Sequence, residues 1–333
     1  MHNVIKAIII ILLVCIILFS TYIFFMSKKV SAQNITWGVA FSQMQAEALK
    51  LDWKKTYLAI LEDLGAKHIK LHTQWDWVEG KKDDYFFNDI DWQVREAQKH
   101  GTSMIYVTGM KTGRWPECHM PSWTADLSKK EQQEEILEYI TQVVQRYKKS
   151  KAIVAWQAEN EPLFKFGKCP WYDKDFLKKE VELIKLLDPA RPVIISDSGE
   201  QSVWLGAAKI GDIVGTTLYR KVWVHLTDRF GFYFDFKIPA VSYGIRAKII
   251  KQLFNKEVIN VELQAEPWVS DVYINTPLEE QEKSMNLEQF KKNVEYAKAT
   301  GLNKFYFWGA EWWYWMKTQQ SKPEIWNEAK KLF

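Results

Sequence analysis

Several kinds of functional signature are missing from this 333-residue sequence. It contains six histidines but no HExxH pair and no closely spaced cluster of metal ligands. We therefore predict that the protein binds neither a metal ion nor an organic cofactor. The segment Ser196-Asp197-Ser198 lacks the flanking glycines of a GxSxG nucleophile elbow. No Pro/Gly/Ser-rich linker interrupts residues 33–333, which we therefore expect to form one domain.

A strong net charge is also missing. The net charge is +4, and residues 1–32 contribute Lys6, Lys28 and Lys29 to it without any acidic residue. The remainder of the chain is therefore close to +1. A nearly neutral domain gives no electrostatic reason to bind nucleic acid, so nucleic-acid partners are not expected.

Long apolar runs are confined to the N-terminus. Residues 7–26 are almost continuously apolar, and about twenty such residues can span a bilayer as a helix. The segment Val30-Ser31-Ala32 resembles a small-residue cleavage site. Residues 1–32 are therefore expected to be either a cleaved signal peptide or an uncleaved signal anchor that contacts the membrane through residues 7–26. In both cases we expect export, with the domain secreted or anchored on the outer side.

Aromatic residues, in contrast, are abundant, with 17 Trp, 14 Tyr and 18 Phe. Sugar-binding clefts use such rings as stacking platforms, and an aromatic-rich core is the alternative explanation. Many of the tryptophans fall in predicted loops, which favours a cleft.

Short apolar runs alternate with helical patterns from residue 35 onwards. The predicted strands are 35–41, 68–72, 103–107, 152–156, 192–196, 212–218, 257–262 and 304–308. The predicted helices are 44–64, 88–100, 129–149, 173–187, 242–254, 280–299 and 322–333. Eight strands that alternate with helical segments over about 300 residues predict an α/β fold, a closed (β/α)₈ TIM barrel. A doubly wound open sheet is the alternative, but no glycine-rich phosphate loop follows the first strand.

Two of the predicted strands deliver glutamates. Asn160-Glu161-Pro162 follows the fourth strand, and Glu262 ends the seventh. Enzymatic cleavage of a glycosidic bond usually requires a pair of carboxyl groups, and two strand ends would supply such a pair here. The arrangement resembles clan A of the glycoside hydrolases, whose acid/base glutamate follows an asparagine after strand four and whose nucleophile ends strand seven.

The resemblance implies a retaining β-glycoside hydrolase that cleaves an extracellular or cell-surface glycan, with an oligo- or polysaccharide as its partner. Glu161 would be the acid/base and Glu262 the nucleophile. A transglycosylase with the same residues and a non-catalytic carbohydrate-binding barrel are the alternatives. The implied substrate-binding residues are Asn160, Tyr219, Trp308, Gln264, Glu266, Trp75 and His72.

Two points of the resemblance stay open. Glu266 competes with Glu262 as nucleophile, although a strand that reached Glu266 would be about ten residues long, which is long for a barrel. Many clan members also carry an arginine near the end of strand two that touches the nucleophile. This chain offers Lys70 there, a cation without the planar fork of arginine.

Cysteine is scarce, with three residues in the whole chain. Cys15 lies in the apolar segment, whereas Cys118 and Cys169 follow the third and fourth predicted strands. Neighbouring barrel strands would place these two loops side by side, and an exported domain meets an oxidising compartment. We therefore expect a Cys118–Cys169 disulfide, with two unpaired thiols on the same face as the alternative.

Overall fold

The computed structural model describes residues 34–227 and 230–333, together with the isolated positions Lys6 and Val14. The expected export segment, including the apolar run 7–26, lies outside the described residues except at those two positions. Within the described part of the chain, no helix is long and apolar enough to cross a membrane.

Eight parallel strands close into a barrel, which confirms the predicted (β/α)₈ fold. In chain order the strands of the described residues are β1 (Thr36–Ser42), β2 (His68–His72), β3 (Ser103–Thr108), β4 (Ile153–Ala158), β5 (Val193–Asp197), β6 (Ile213–Leu218), β7 (Lys221–His225), β8 (Gly231–Asp235), β9 (Glu257–Gln264) and β10 (Lys304–Trp308). The order around the barrel is β1-β10-β9-β6-β5-β4-β3-β2.

Strands β7 and β8 form an antiparallel hairpin outside the barrel, which the sequence analysis did not predict. The hairpin follows β6 and therefore lies at the carboxyl ends of the barrel strands. Its base is tied to β9, because the backbone amides of Arg220 and Lys221 donate to Gln264 Oε1 at 2.8 and 2.9 Å.

Helices cover the barrel, and several differ from the predicted ones. They are α1 (Gln43–Ala48), α2 (Trp53–Glu62), α3 (Trp75–Val78), α4 (Asn88–Lys99), α5 (Lys129–Tyr147), α6 (Lys174–Leu187), α7 (Leu205–Ile210), α8 (Val241–Phe254), α9 (Leu278–Gln281), α10 (Leu287–Thr300), α11 (Ala310–Gln319) and α12 (Glu324–Ala329). The predicted helix 44–64 is split, because Lys50 has a left-handed φ of 55° and Asp52 caps a new helix through Lys55 N. The predicted helix 280–299 is also split, because Asn286 caps a new helix that begins at Leu287.

Helix α5 shows how the local sequence produces an element and its packing. Ser128 and Glu131 form a reciprocal capping box at its start. Ile136, Ile140 and Val143 follow at helical spacing and are buried against the barrel. Side chains on the inner face of the strands form a separate small apolar cluster inside the barrel, made of Ile105, Ala155, Ile194, Ile259, Val261 and Tyr306.

Candidate active site

Glu161 lies just beyond β4 in a conformation that few non-glycine residues adopt. Its φ is 44°, and such backbone strain is typical of functional sites that the surrounding structure holds in place. The Glu161 amide donates to Ser196 Oγ at 2.8 Å, and its carbonyl accepts from Lys111 Nζ at 3.0 Å. The side chain is buried, and its Oε1 accepts from Thr217 Oγ1 at 3.2 Å.

Glu262 reaches the barrel mouth because of an irregularity in β9. The register with β6 shifts between Thr216 and Thr217, so that one extra residue is accommodated in β9. Val261 faces the barrel interior and Leu263 packs in the outer core. Strict alternation after Val261 would turn Glu262 outwards, and the bulge turns it towards the barrel mouth instead.

The carboxylate of Glu262 receives a hydrogen bond on each oxygen. Lys70 Nζ donates to Oε1 at 2.8 Å, and Tyr219 Oη donates to Oε2 at 2.8 Å. Lys70 also donates to Asn160 Oδ1 at 3.0 Å, which joins the amide after β4 to the carboxylate on β9. Gln157 donates to the same Oδ1 at 3.1 Å, so two donors hold this oxygen in place.

The two glutamates have different electrostatic surroundings. Burial raises the pKa of Glu161 well above its ordinary value, and the negative charge of Glu262 raises it further, while Lys111 opposes both effects. Glu161 therefore keeps its proton in the range where an ordinary glutamate is ionised. Glu262, in contrast, accepts hydrogen bonds from an ammonium group and a phenol. Two carboxyl groups in such different surroundings suit the separate roles of an acid and a nucleophile.

Trp308 at the end of β10 is packed on two sides. The edge of the His72 ring lies against it, with 4.9 Å between the ring centroids. The guanidinium carbon of Arg114 lies 4.1 Å from the centre of the Trp308 ring. Burial lowers the pKa of His72 well below its usual value, so this imidazole is neutral.

Glu266 belongs to a different cluster from Glu262. It is paired with Arg114, and Tyr273 Oη donates to its Oε1 at 2.9 Å. Arg114 also lies 3.4 Å from the Glu311 carboxylate. β9 ends at Gln264, so Glu266 is two residues beyond the strand, and its cation and phenol are Arg114 and Tyr273, whereas those of Glu262 are Lys70 and Tyr219.

Two residues that we expected to bind substrate have other roles. Trp75 is fully buried, donates to Glu79 Oε2 at 2.7 Å and stacks on Tyr139, so this expectation is corrected. The apolar environment of α3 and α5 explains its place in the core. Gln264 uses its side chain to hold the base of the β7–β8 hairpin.

The loop after β3 contributes residues that sequence analysis missed. Glu159 holds the start of this loop in place, because the backbone amides of Met110 and Lys111 donate hydrogen bonds to the Glu159 carboxylate. Glu117 is buried in the same loop, and its pKa is raised to about 7, first by burial and also by the charge of Glu262. The sequence signal that points to this loop is its pair of glycines. In the structure Gly109 and Gly113 have φ of 117° and 85°, which is typical of a tightly folded segment.

A disulfide joins this loop to the loop after β4. Cys118 and Cys169 are bonded, with their Cα atoms 5.2 Å apart. The link encloses a sequence separation of 51 residues and connects the segment that carries Arg114 and Glu117 with the segment that follows Glu161.

Comparisons of the sequence with known proteins find two partial matches. Residues 92–220 match the family model of the glycosyl hydrolases family 2 TIM barrel domain. A probable mannan endo-1,4-beta-mannosidase A of Aspergillus clavatus is 32% identical over 121 residues, which cover 33% of this chain and 32% of the relative. The chain thus matches about a third of the length of this curated relative.

Solved structures share the fold at low sequence identity. The beta-galactosidase of Rahnella sp. R3 matches 85% of this chain and 51% of its own, with a TM-score of 0.56 and 12% identity. A GH5_18 protein of Streptomyces cattleya, solved in complex with GlcNAc, matches 84% and 71%, with a TM-score of 0.57 and 12% identity. Xylanase 10B of Thermotoga petrophila matches 85% and 84%, with a TM-score of 0.53 and 16% identity.

The barrel and the comparisons together confirm the resemblance to clan A of the glycoside hydrolases. The sequence matches that carry it cover residues 92–220 in the family model and 33% of this chain in the relative.

Proposed function

We propose that this chain is a retaining β-glycoside hydrolase, with Glu161 as acid/base and Glu262 as nucleophile. The observation that carries the proposal is the contrast between the two glutamates. Glu161 is buried with a raised pKa, whereas both oxygens of Glu262 accept hydrogen bonds from Lys70 and Tyr219. This is the division of labour that a double displacement requires.

In the first step, a Glu262 oxygen attacks the anomeric carbon while Glu161 gives its proton to the departing glycosidic oxygen. The bond between the sugar and the leaving group breaks as the bond to Glu262 forms. In the second step, ionised Glu161 takes a proton from water, and the water oxygen displaces Glu262. A sugar hydroxyl in place of that water would give transglycosylation with the same residues. The carboxyl groups of a retaining pair lie roughly 5–5.5 Å apart, and we propose this separation here.

Each of the remaining site residues has a proposed part in this cycle. Asn160 binds the sugar 2-hydroxyl through its NH₂ group, and Tyr219 holds Glu262 in position for attack. Trp308 and His72 form one wall of the site, and Glu266 with its partner Arg114 forms part of the surrounding cleft.

We propose a β-linked glycan outside the cell as substrate. β-Mannan is the first polymer to test, because the relative from Aspergillus clavatus is described as a mannan endo-mannosidase. β-Galactosides and β-xylan follow, because the similar structures include a beta-galactosidase and a xylanase. The extracellular location rests on the apolar segment 7–26.

A panel of aryl β-glycosides and β-linked polysaccharides tests the proposal, with Glu161→Gln as the control. We expect turnover of at least one β-glycoside with retention of the anomeric configuration, and a large loss with Glu161→Gln. Glu161→Ala should retain activity on aryl glycosides with good leaving groups, since these need no proton from the acid. Inverted products, or full activity of Glu161→Gln, would contradict the assignment.

A further inference from the structure

A cavity of about 170 Å³ lies at the carboxyl ends of β1 and β2. It is lined by residues that follow β1 and β2 and by helix α4, and these include Gln43, His72, Gln74, Trp77, Phe86 and Asp89. None of the mechanistic steps above uses this cavity.

The cavity adjoins the catalytic centre through His72. This residue lines the cavity, and its ring also packs on Trp308 at the end of β10. A Cβ atom on Gly113 would lie 2.9 Å from His72 Nδ1 and 3.4 Å from Asn160 Nδ2, so the imidazole and the catalytic amide flank the same glycine. A chain of sugar units bound at the carboxylates could therefore continue past His72 into the cavity.

Two large aromatic side chains stand exposed at the cavity. Trp77 is 41% exposed and Phe86 is 52% exposed. The loop between them is ordered by its own bonds: the Phe86 amide donates to the Val78 carbonyl at 2.7 Å, and the Asp83 amide donates to Glu79 Oε1 at 2.9 Å. Rings held in place on an ordered loop can bind the apolar face of a ligand with little loss of conformational entropy.

The remaining wall is made of neutral hydrogen-bonding groups. Gln43 Nε2 donates to Asp89 Oδ2 at 2.9 Å, and Gln93 Nε2 donates to Gln43 Oε1 at 3.1 Å. The buried Nε2 of Gln74 has no hydrogen-bond partner among the described residues. Apart from Asp89, the lining side chains carry no charge, because His72 is neutral. Such a wall suits a neutral ligand with several hydroxyl groups and disfavours an anion.

We propose that this cavity is a distal subsite that binds a neutral sugar unit of a longer β-linked oligosaccharide. Trp77 and Phe86 contact the apolar face of that unit, and the amides of Gln43 and Gln74 bind its hydroxyls. The proposal rests on the glycoside hydrolase function proposed above and extends it, because it makes the enzyme selective for glycan chains over single glycosides.

The first test measures kcat/KM on a series of β-linked oligosaccharides of increasing length and on an aryl monoglycoside of the same sugar. Wild-type efficiency should rise with chain length. Trp77→Ala and Gln74→Ala should each lower kcat/KM on the longest substrate by about tenfold, equivalent to one contact of about 1.4 kcal/mol, and should affect the monoglycoside far less. Phe234→Ala removes a ring of similar exposure, 43%, from the β7–β8 hairpin and should change neither value.

A second test does not depend on turnover. The inactive Glu161→Gln protein should bind the longest oligosaccharide in calorimetry, and the added change Trp77→Ala should weaken that binding about tenfold. Equal losses on short and long substrates, or unchanged binding with Trp77→Ala, would overturn the subsite. If Glu161→Gln were fully active while binding still depended on Trp77, the catalytic assignment would fail and the subsite would stand.

Discussion

The ammonium nitrogen of Lys70 lies 2.8 Å from Glu262 Oε1, and both side chains are buried. Many members of the clan that this chain resembles carry an arginine near this position, and its fork can bind a carboxylate with two parallel hydrogen bonds. Lysine supplies a point charge instead. Tyr219 bonds the second carboxylate oxygen, so two residues together orient Glu262.

Lys70→Met should lower kcat by roughly 10²-fold, because a nucleophile displaced by about 1 Å loses about that much rate. The variant also leaves a buried carboxylate unpaired, which costs about 3–5 kcal/mol of folding stability. Thermal unfolding therefore needs to be measured beside the kinetics. Lys70→Arg restores the charge and should recover part of kcat.

Lys304→Met is the matched control for Lys70. Lys304 also lies on a barrel strand and pairs with Glu257 at 3.5 Å, but both side chains are 41% exposed. We expect little change in kcat or in the melting temperature, since exposed ion pairs contribute about 0–1 kcal/mol. Wild-type kcat in Lys70→Met would show that Lys70 has no part in orienting the nucleophile.

The pH dependence of kcat/KM should show when Glu161 loses its proton. Activity should fall as pH rises through the pKa of Glu161. This descending limb of the pH profile should lie well above the ordinary glutamate pKa of 4.5, because burial and the charge of Glu262 both disfavour ionisation of Glu161. Glu200 is a further anion that raises this pKa. Glu200→Gln removes its charge, favours ionised Glu161 and should therefore move the limb to lower pH.

The control for this pH measurement is Glu182→Gln, which changes an exposed glutamate on α6. It should leave the limb in place. A limb that moves to higher pH in Glu200→Gln would show that Glu161 is not the titrating acid.

Loss of the Cys118–Cys169 disulfide should destabilise the domain. A closed loop with a separation of 51 residues contributes about 4 kcal/mol in the chain-entropy model. The double change Cys118→Ser, Cys169→Ser should lower the free energy of unfolding in urea by up to this amount. Non-reducing peptide mapping of the wild type should give the linked peptide, and free thiol at both positions would contradict the bond.

The export segment gives a prediction for the whole chain. Because residues 7–26 are long and apolar enough to span a bilayer, full-length protein should fractionate with membranes, or a mature form beginning at Gln33 should be secreted. N-terminal sequencing of each fraction distinguishes the two forms. Intact protein in the soluble cytoplasmic fraction would refute export.

The sequence was sufficient for the barrel because it contains eight short apolar runs in succession. Most of these runs are followed by a helical period, and capping residues such as Ser128 mark where helices begin. Glu161 and Glu262 could be located because each lies close to the end of such a run. The β7–β8 hairpin was missed because it packs beside the barrel and has no crossover helix of its own.

Contacts between distant loops could not be predicted in this way. Arg114 and Glu266 are 152 residues apart in the sequence, and no local sequence pattern predicts that they pair. The bulge that turns Glu262 inwards depends on the register with β6, which a single strand does not reveal. Trp75 was misplaced because a tryptophan in a loop after a strand looks the same in sequence whether it lines a cleft or fills the core.

The identity of the nucleophile is the central claim, and covalent trapping tests it most directly. A 2-deoxy-2-fluoro glycoside of the preferred sugar, with a good leaving group, slows breakdown of the glycosyl-enzyme so that it accumulates. Peptide mapping by mass spectrometry should then find the fluorosugar on Glu262. A label on Glu266 would show that the nucleophile lies beyond the end of β9, and a turnover that never yields a covalent adduct would contradict the double displacement itself.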